Sequence, residues 1–550
     1  MNAEKYIKRQ LASGLDVLAG AKPSDDDIQL ERPNNLEHGD FSTNIAMKLA
    51  SQLRRNPREI ASDLVQALQL DNSIVEKTEV AGAGFINFTL STDYFRDALK
   101  TILRDNIDFG KSDWGKNKKV QIEFVSANPT GPLNVVSARA ATAGDVLAKL
   151  HKAVGYAVGT EFYVNDAGRQ VRLLGQSVSA RYMALLGKEE PFPEEGYHGD
   201  YIKDLAHDFL AEHGEKFADM PKEERWLSFT KHALEKIVAS QQTVLQKYRV
   251  EFDNWFLESR LRTDNAHLKV LERLQENNLL YEEDGATWFK ASEFGDEKDR
   301  VLMTSAGEPT YFLVDIAYHL DKYERGFEQL YDLWGPDHHG YIERMKAALE
   351  ALGYPRGSFE VNIIQQVNLL QNGKTVKMSK RAGKIIEMEE LLADVGVDVA
   401  RFFFLARRSQ SPLDFDLDLA KNTTEENPVY YIQYAHARIC NVIKFAEENG
   451  LKISPAADLS RLAETEEINL IRKLLELPDV ISSAVRFLEP HRLPNYLQDL
   501  AATFHRFYHH CRVVTDDKSL SEARLILIEC TRIVLSNALK LLGITAPDRM

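Results

Sequence analysis

Two clusters in this 550-residue chain combine residue types and spacings that suit phosphate chemistry. The first is Ser126-Ala127-Asn128-Pro129-Thr130-Gly131-Pro132-Leu133-Asn134-Val135-Val136-Ser137-Ala138-Arg139. Here a Gly- and Pro-containing turn leads from an apolar run into a helical pattern. The free N–H groups of a helix start and the positive end of its dipole would then face an anion. A strand-to-helix turn with no ligand has the same pattern. The second cluster is Lys374-Thr375-Val376-Lys377-Met378-Ser379-Lys380-Arg381, with four cations in eight residues. Lysines on a loop can neutralise charge that develops on a departing pyrophosphate. A solvated basic loop is the alternative, and the occurrence of both clusters in this order favours the chemical reading of each.

The elements that must position these clusters follow from periodicity. Val120-Gln121-Ile122-Glu123-Phe124-Val125 reads as a buried strand that ends in the turn of residues 128–132. From Asn134 to about Val154, apolar residues recur at helical spacing (Val136, Ala140, Ala143, Val146, Leu147, Leu150), and Gly155 is placed to end the helix. A second strand, Tyr156 to Val164, follows. Strand, loop, helix and strand in this order signify a parallel α/β sheet, a framework that often binds nucleotides.

Around this unit the chain divides in three. Residues 1–112 give an opening helix, a polar loop near Lys22 to Asn35, a helical stretch from about Asn44 and a strand at Phe85-Ile86-Asn87-Phe88, an α+β pattern closed by the turn-rich Asp108 to Lys118. Residues 113–426 form the sheet domain, Rossmann-like in its grammar, with an insertion around 188–278 that begins acidic and Pro/Gly-containing and continues as helices. Short strands and helices resume at Thr310. From Asn427 every apolar pattern is helical, so 427–550 is expected to be an all-α domain.

Composition bounds the function. With 44% hydrophobic and 27% charged residues the chain is globular. No apolar run approaches the roughly 20 residues of a membrane span. The opening residues interrupt their apolar positions with charges, unlike a signal peptide, so a cytoplasmic location is expected. Three cysteines (Cys440, Cys511, Cys530), none in a CxxC spacing, give neither a disulfide framework nor a zinc site. His338 and His339 are adjacent, and neighbours on a chain do not easily aim at one ion, so no metal ligands are assigned. The net charge of −15 argues against a general polyanion-coating or DNA-binding protein. Residues 430–550 nevertheless carry 15 basic and 15 acidic residues, which leaves that end the less repulsive surface for an RNA.

The junction, followed some 240 residues later by Lys377-Met378-Ser379-Lys380, resembles the two signature motifs of class I aminoacyl-tRNA synthetases. The chain is similar to the arginyl-tRNA synthetase family along nearly its whole length. The likeness rests on His38-Gly39-Asp40, Gly84 through Phe88, Glu123 through Pro132, Tyr163 through Gln170, Tyr311 through Tyr318, Trp334 through Tyr341, Tyr431 through Arg438 and the closing Ala546-Pro547-Asp548-Arg549-Met550. One departure stands out. The family's first motif reads His-x-Gly-His after Pro-Leu, and those places hold Asn134, Val135, Val136 and Ser137. Asn134 and Ser137 keep hydrogen-bond donors, whereas Val136 adds bulk where glycine lets adenine approach the backbone.

The resemblance implies the rest. Lys377, Lys380, Asn134 and Ser137 would act on the reacting phosphates. Pro132, Leu133, Asn134, Ser137, Gly335, Asp337, Met378 and Ser379 would bind ATP, a substrate expected to arrive with Mg²⁺. Glu123, Tyr311 and Asp315 would face the guanidinium of L-arginine, and Asn128 and His338 its α-amino and carboxylate groups. Carboxylates match the planar, bidentate donors of a guanidinium, and Tyr311 and Asp315, four residues apart, share a face if their segment is helical. In the C-terminal domain, Tyr430, Tyr431, Tyr434, Phe504, Phe507 and Tyr508 lie among Arg438, Arg506 and Arg512, a composition that suits stacking on single-stranded RNA. The resemblance singles out Tyr431, Tyr434 and Met550 as the set facing the anticodon. The implied activity is ligation of arginine to tRNA(Arg) by a monomer, with an N-terminal tRNA-binding domain and a helical anticodon-binding domain. The rival is a non-catalytic paralogue that binds tRNA or senses arginine after decay of its first motif.

Overall fold

The computed structural model describes residues 3–19, 28–33, 35–376 and 386–550. The N-terminal unit contains α1 (Ala3–Ala19), β1 (Phe41–Thr43), α2 (Ile45–Leu53), α3 (Pro57–Ala67), β2 (Val75–Ala81) and β3 (Phe85–Leu90). Its antiparallel sheet has the order β1-β3-β2, and the turn between β2 and β3 uses Gly82 and Gly84. Helix α4 (Thr92–Asp105), capped by the Ser91 hydroxyl, leaves this unit to pack against the C-terminal helices.

The central domain holds β4 (Lys119–Glu123), α5 (Val135–Ala153), β5 (Ala157–Val164), α6 (Arg169–Leu185), α7 (Asp200–His213), α8 (Lys222–Lys247), β6 (Asn254–Leu257), α9 (Glu258–Thr263) and α10 (Ala266–Glu276). It continues with β7 (Leu280–Glu283), β8 (Ala286–Phe289), β9 (Arg300–Met303), α11 (Tyr311–Glu324), β10 (Gln329–Trp334), α12 (Ile342–Ala351) and β11 (Phe359–Ile363). Five strands form one parallel sheet in the order β11-β10-β4-β5-β6. The chain enters at β4, builds outward to β6 and then returns to the other side of β4 with β10. The order therefore reverses between β4 and β10, where open α/β sheets leave a crevice beyond the strand ends.

Two expectations need correction here. The insertion expected around 188–278 contains β6, a strand of the sheet itself, whose four residues pair in register with β5 (Phe162 opposite Trp255). So short a strand among helices has no periodicity of its own. The strands β7, β8 and β9, a separate antiparallel sheet, also precede the expected return of strands at Thr310.

The domain closes with β12 (Val367–Gln371), β13 (Lys374–Thr375), α13 (Met388–Val395), α14 (Val397–Phe404), β14 (Leu413–Asp416) and α15 (Leu417–Lys421). The last unit is helical throughout: α16 (Pro428–Glu448), α17 (Thr465–Leu474), α18 (Leu477–Arg486), α19 (Arg492–His510) and α20 (Lys518–Leu542). A buried arginine joins it to the sheet domain. Arg401, without solvent exposure, donates to the carbonyls of Leu542 (2.7 Å) and Tyr248 (3.0 Å) and pairs with Asp145 of α5. The N-terminal unit is tied to the same helices by Arg472–Asp40 (2.8 Å) and by Arg96 on the Leu462 carbonyl.

Helix α5 lies close on β4 because Gly144 has no side chain: a Cβ there would stand 2.0 Å from the ring of buried Phe124. Gly155, at φ +89°, reverses the chain after α5. Gly144→Ala is expected to push α5 from the sheet at a cost of about 1–3 kcal/mol. Denaturant unfolding checks this, and an unchanged midpoint would show that the contact tolerates a methyl group.

Candidate active site

At the carboxyl ends of β4, β5 and β10 lies a cavity of about 430 Å³, walled by the face of α11. Its floor is ionic. The Lys322 ammonium, fully buried, donates to Glu123 at 2.5 Å and to both oxygens of Asp332 at 3.0 and 3.2 Å. His319, one turn earlier, donates from Nε2 to Asp332 at 2.9 Å and from Nδ1 to the Asp315 carbonyl at 2.8 Å. The Asp315 carboxylate lies 3.4 Å from Nδ1 and is hydrogen-bonded by Tyr341. Behind Tyr318, whose hydroxyl donates to Glu161 at 2.6 Å, Arg325 forms a two-bond pair with Glu161.

Burial and the neighbouring Lys322 both disfavour a charged His319, yet the carboxylates of Asp315 and Asp332 outweigh them and push the imidazole up to about 9. Burial also works against an ionised Asp332, but Lys322 and His319 hold its carboxyl below the ordinary range.

The turn after β4 is shaped to this pocket. Strand β4 ends at Glu123, two residues before the expected Val125, because Val125 and Ser126 adopt φ of +71° and +39°. A β-branched residue in this region is strained, at about 1–3 kcal/mol. Ser126 holds the turn, donating to Glu123 at 2.8 Å and accepting from the Tyr163 N–H at 3.1 Å. Beyond it, the Pro-Thr-Gly-Pro turn is supported by the helices after β5. The Tyr201 hydroxyl donates to the Thr130 carbonyl at 2.7 Å, and Gln241 donates to that of Gly131 at 3.0 Å.

The sequence-derived arginine set divides. Glu123, Tyr311, Asp315 and His338 all line the cavity. Tyr311 begins α11 and is 73% exposed, while Glu123 is already engaged by Lys322 and Ser126. Asn128 does not line the cavity; exposed, it donates to Gln170 at 3.0 Å.

The ATP set divides too. Gly335 lines the cavity, whereas Asp337 is exposed outside it. Pro132 is exposed, whereas the side chain of Leu133 is buried in the core and its carbonyl accepts from Met388 N–H at 2.8 Å. Asn134 caps α5, its Oδ1 accepting from the N–H groups of Val136 (2.9 Å) and Ser137 (3.1 Å). The expected amide donor remains, since the cap engages the oxygen alone. The oxygen of this carboxamide occupies two of the N–H groups that a phosphate would meet, and its NH₂ is the donor end. Ser137 Oγ stands 3.4 Å from the same oxygen. Lys377, Met378, Ser379 and Lys380 lie outside the described residues. Their downstream flank is placed, since Glu387 pairs with Asn134 as an isolated antiparallel bridge, which brings the segment after the second cluster to the start of α5.

In the helical domain Tyr434 stacks on Tyr430, and Arg438 lies over the rings of Tyr434 (4.4 Å) and Tyr508 (5.0 Å). Tyr431 is half-buried, 4.5 Å from the His505 ring, and Met550 is half-exposed. Phe504 and Phe507 are core residues, which removes them from the aromatic surface set. His436, Cys440 and Asp548 come together, but His436 Nδ1 is engaged by the Pro547 carbonyl at 2.9 Å, so the cluster anchors the closing segment.

Sequence reasoning missed Lys322, His319 and Asp332. The signal was present, since Asp315, His319 and Lys322 are spaced four and three apart and continue the face of α11 that Tyr311 and Asp315 open.

Three sequence models match the chain. They are described as the arginyl tRNA synthetase N terminal domain (residues 3–90), tRNA synthetases class I (R), catalytic domain (98–414), and the DALR anticodon binding domain (432–550). The chain is 48% identical over 547 residues to the arginine--tRNA ligase of Listeria monocytogenes serotype 4b, covering 99% of this chain and 98% of that protein. It is 45% identical over 556 residues to arginine--tRNA ligase 1 of Halalkalibacterium halodurans, with both chains fully covered. The fold matches the arginyl-tRNA synthetase structure of Thermus thermophilus with a TM-score of 0.79, at 23% identity and full coverage of both chains. Nothing in these likenesses supports the non-catalytic rival.

The His319 geometry predicts a pH dependence of stability. Its pKa in the fold, about 9, lies above the ordinary 6.5. The stabilisation is therefore complete below about pH 6.5 and lost as pH rises through about 9, amounting to about 3 kcal/mol. Unfolding free energies from pH 6 to 10 should show this loss in the wild type and not in His319→Gln; parallel curves would contradict the charged assignment.

Proposed function

The chain belongs to the arginyl-tRNA synthetase family, and we propose from that premise how its residues carry out ATP-dependent ligation of L-arginine to tRNA. The observation that carries the proposal is the cavity at the sheet's point of reversal, where Tyr311 and Asp315 of α11 stand above a floor of buried ion pairs.

Arginine enters with its guanidinium toward Asp315 and Tyr311, with Glu123 behind them and His338 at the end that holds the α-amino and carboxylate groups. Asn128 reaches the same groups by leaving Gln170. ATP, as its magnesium complex, lies over the start of α5 against Pro132, Leu133, Gly335, Asp337, Met378 and Ser379. Leu133 contributes backbone alone. The arginine carboxylate oxygen attacks the α-phosphorus, the bond to the bridging oxygen breaks, and pyrophosphate leaves with that electron pair. Lys377 and Lys380 neutralise the charge on the leaving group. Asn134 and Ser137, in place of the family's histidines, donate to the phosphates from the helix start. A terminal ribose hydroxyl of the tRNA then attacks the arginyl carbonyl, its proton is released, and AMP departs.

Residues 1–112 bind tRNA, 113–426 carry the chemistry and 427–550 read the anticodon, with Tyr431, Tyr434 and Met550 facing it. The aromatic and arginine surface around Tyr434 and Arg438 supports this reading, because bases stack on such rings. The arginine-bonded joints of the helical domain to α4 and α5 give tRNA binding a physical connection to the ATP site. The protein works as a cytoplasmic monomer, and activation depends on bound tRNA. Among the described residues no helix is long and apolar enough to cross a membrane.

Arginine-dependent ATP–pyrophosphate exchange tests the reading. It is expected to need tRNA, and Asp315→Ala should raise the arginine requirement roughly tenfold or more through loss of a charge-assisted pair worth about 1.5–3 kcal/mol. An unchanged arginine dependence would remove Asp315 from the pocket, and full exchange without tRNA would remove the coupling.

A further inference from the structure

The charges that face the cavity can be counted from geometry. Four carboxylates stand around it: Glu123, Asp315, Asp332 and Glu258. Lys322 carries one positive charge, shared between Glu123 and Asp332. Arg262 cancels Glu258, donating to one of its oxygens at 2.7 and 3.1 Å, while Tyr163 hydrogen-bonds Glu258. His319 is the third cation. Its Nδ1 faces a backbone carbonyl oxygen and its Nε2 a carboxylate oxygen, and both partners accept, so each nitrogen must carry a hydrogen. The imidazolium is the form that satisfies both, and the upward shift of its pKa agrees.

Burial pushes the Glu123 carboxyl up while Lys322 pulls it down, and with the ammonium donating to it at 2.5 Å it is counted as an anion. The charges counted are those of the carboxylates and their direct cation partners. Glu161, behind Tyr318, is cancelled by Arg325. Tyr163, Tyr318 and Tyr341 all have pKa values pushed upward, chiefly by burial, and stay neutral. Four negative and three positive charges leave one.

We propose that Lys322 and His319 are specificity-determining residues that set the amino-acid pocket at one net negative charge, the amount that one guanidinium neutralises. They do so with little cation for the substrate to meet: Lys322 lies beneath the floor with 0% exposure, and His319, part of the lining, is 1% exposed with both ring nitrogens engaged. Asp315, the carboxylate with the most solvent access among those that Lys322 and His319 serve, is left to present the charge. Without the two cations, two further unpaired carboxylates would sit in the low-dielectric floor and would have to take up protons or water. The pocket would then lose its fixed difference between a cationic side chain and its neutral isostere.

This inference rests on the reading of the cavity as the arginine pocket, and the test separates the two. Asp332→Asn keeps the shape of a fully buried side chain and brings the pocket to zero net charge. In exchange assays with tRNA present, its KM for arginine should rise at least tenfold while its KM for ATP stays within twofold. Discrimination against citrulline, the neutral urea isostere, read from the ratio of the inhibition constant of citrulline to the KM for arginine, should fall at least tenfold. Adding Lys322→Met removes the excess positive charge and should return the arginine KM to within threefold of the wild type. A role confined to packing predicts a double variant no better than the single one. Should Asp332→Asn not fold, the double variant carries the test alone: a folded double with wild-type arginine KM supports the assignment, and one with a tenfold higher KM overturns it. An unmoved arginine KM in Asp332→Asn also overturns it. Absence of arginine-dependent exchange in the wild type would instead overturn the ligase reading, and this proposal with it.

Discussion

An ammonium group with no solvent exposure holds the centre of this molecule. Lys322 comes from α11, Glu123 from β4 and Asp332 from β10, so one cation joins a helix to the two strands between which the sheet order reverses. Burying such a group costs several kcal/mol per ion unless partners surround it, and removal of a partner costs about 3–5 kcal/mol. The arrangement is therefore fixed in position by its own expense. A crevice at a point of reversal is open by topology, and this ion cluster gives it a rigid floor. Tyr311 and Asp315 occupy the same helix one and two turns or more from the cluster, so their positions above the floor follow from it.

The second constraint is the start of α5. This helix carries the altered first motif at one end, receives Glu387 and Met388 from the flank of the second motif there, and at Asp145 meets Arg401, which grips the end of α20. Helix α5 and the closing segment of the helical domain are thus tied together through Arg401. Asn134 caps the helix from the first place of the altered motif. A cap of this kind stabilises a helix by about 1 kcal/mol, and it sets the Asn134 carboxamide oxygen and a phosphate in competition for the N–H groups of Val136 and Ser137.

Much of this was legible in the residues. The unit β4–α5–β5 announced itself because a buried strand, a Gly/Pro turn, a 3.6-residue apolar period and a terminating Gly155 each have a local cause. Strand β6 did not, because Asn254–Leu257 is too short to show a period and owes its conformation to pairing with β5. The upper half of the pocket could be read from Tyr311 and Asp315. The floor was harder to reach: its spacing on α11 was visible, but composition rules send a lysine such as Lys322 to solvent, and its two carboxylate partners in space, Glu123 and Asp332, explain its burial. In the helical domain, composition alone could not divide Phe504 and Phe507, which are core, from Tyr434 and Tyr508, which reach the surface beside Arg438.

A synthetase with Asn134 and Ser137 in its first motif ligates arginine to tRNA with consumption of ATP. The most direct measurement is the ATP-dependent attachment of labelled arginine to tRNA by the purified full-length chain. Ester-linked arginyl-tRNA, formed with ATP and not without it, is the predicted result. Binding of arginine and tRNA with no ester formed would contradict it.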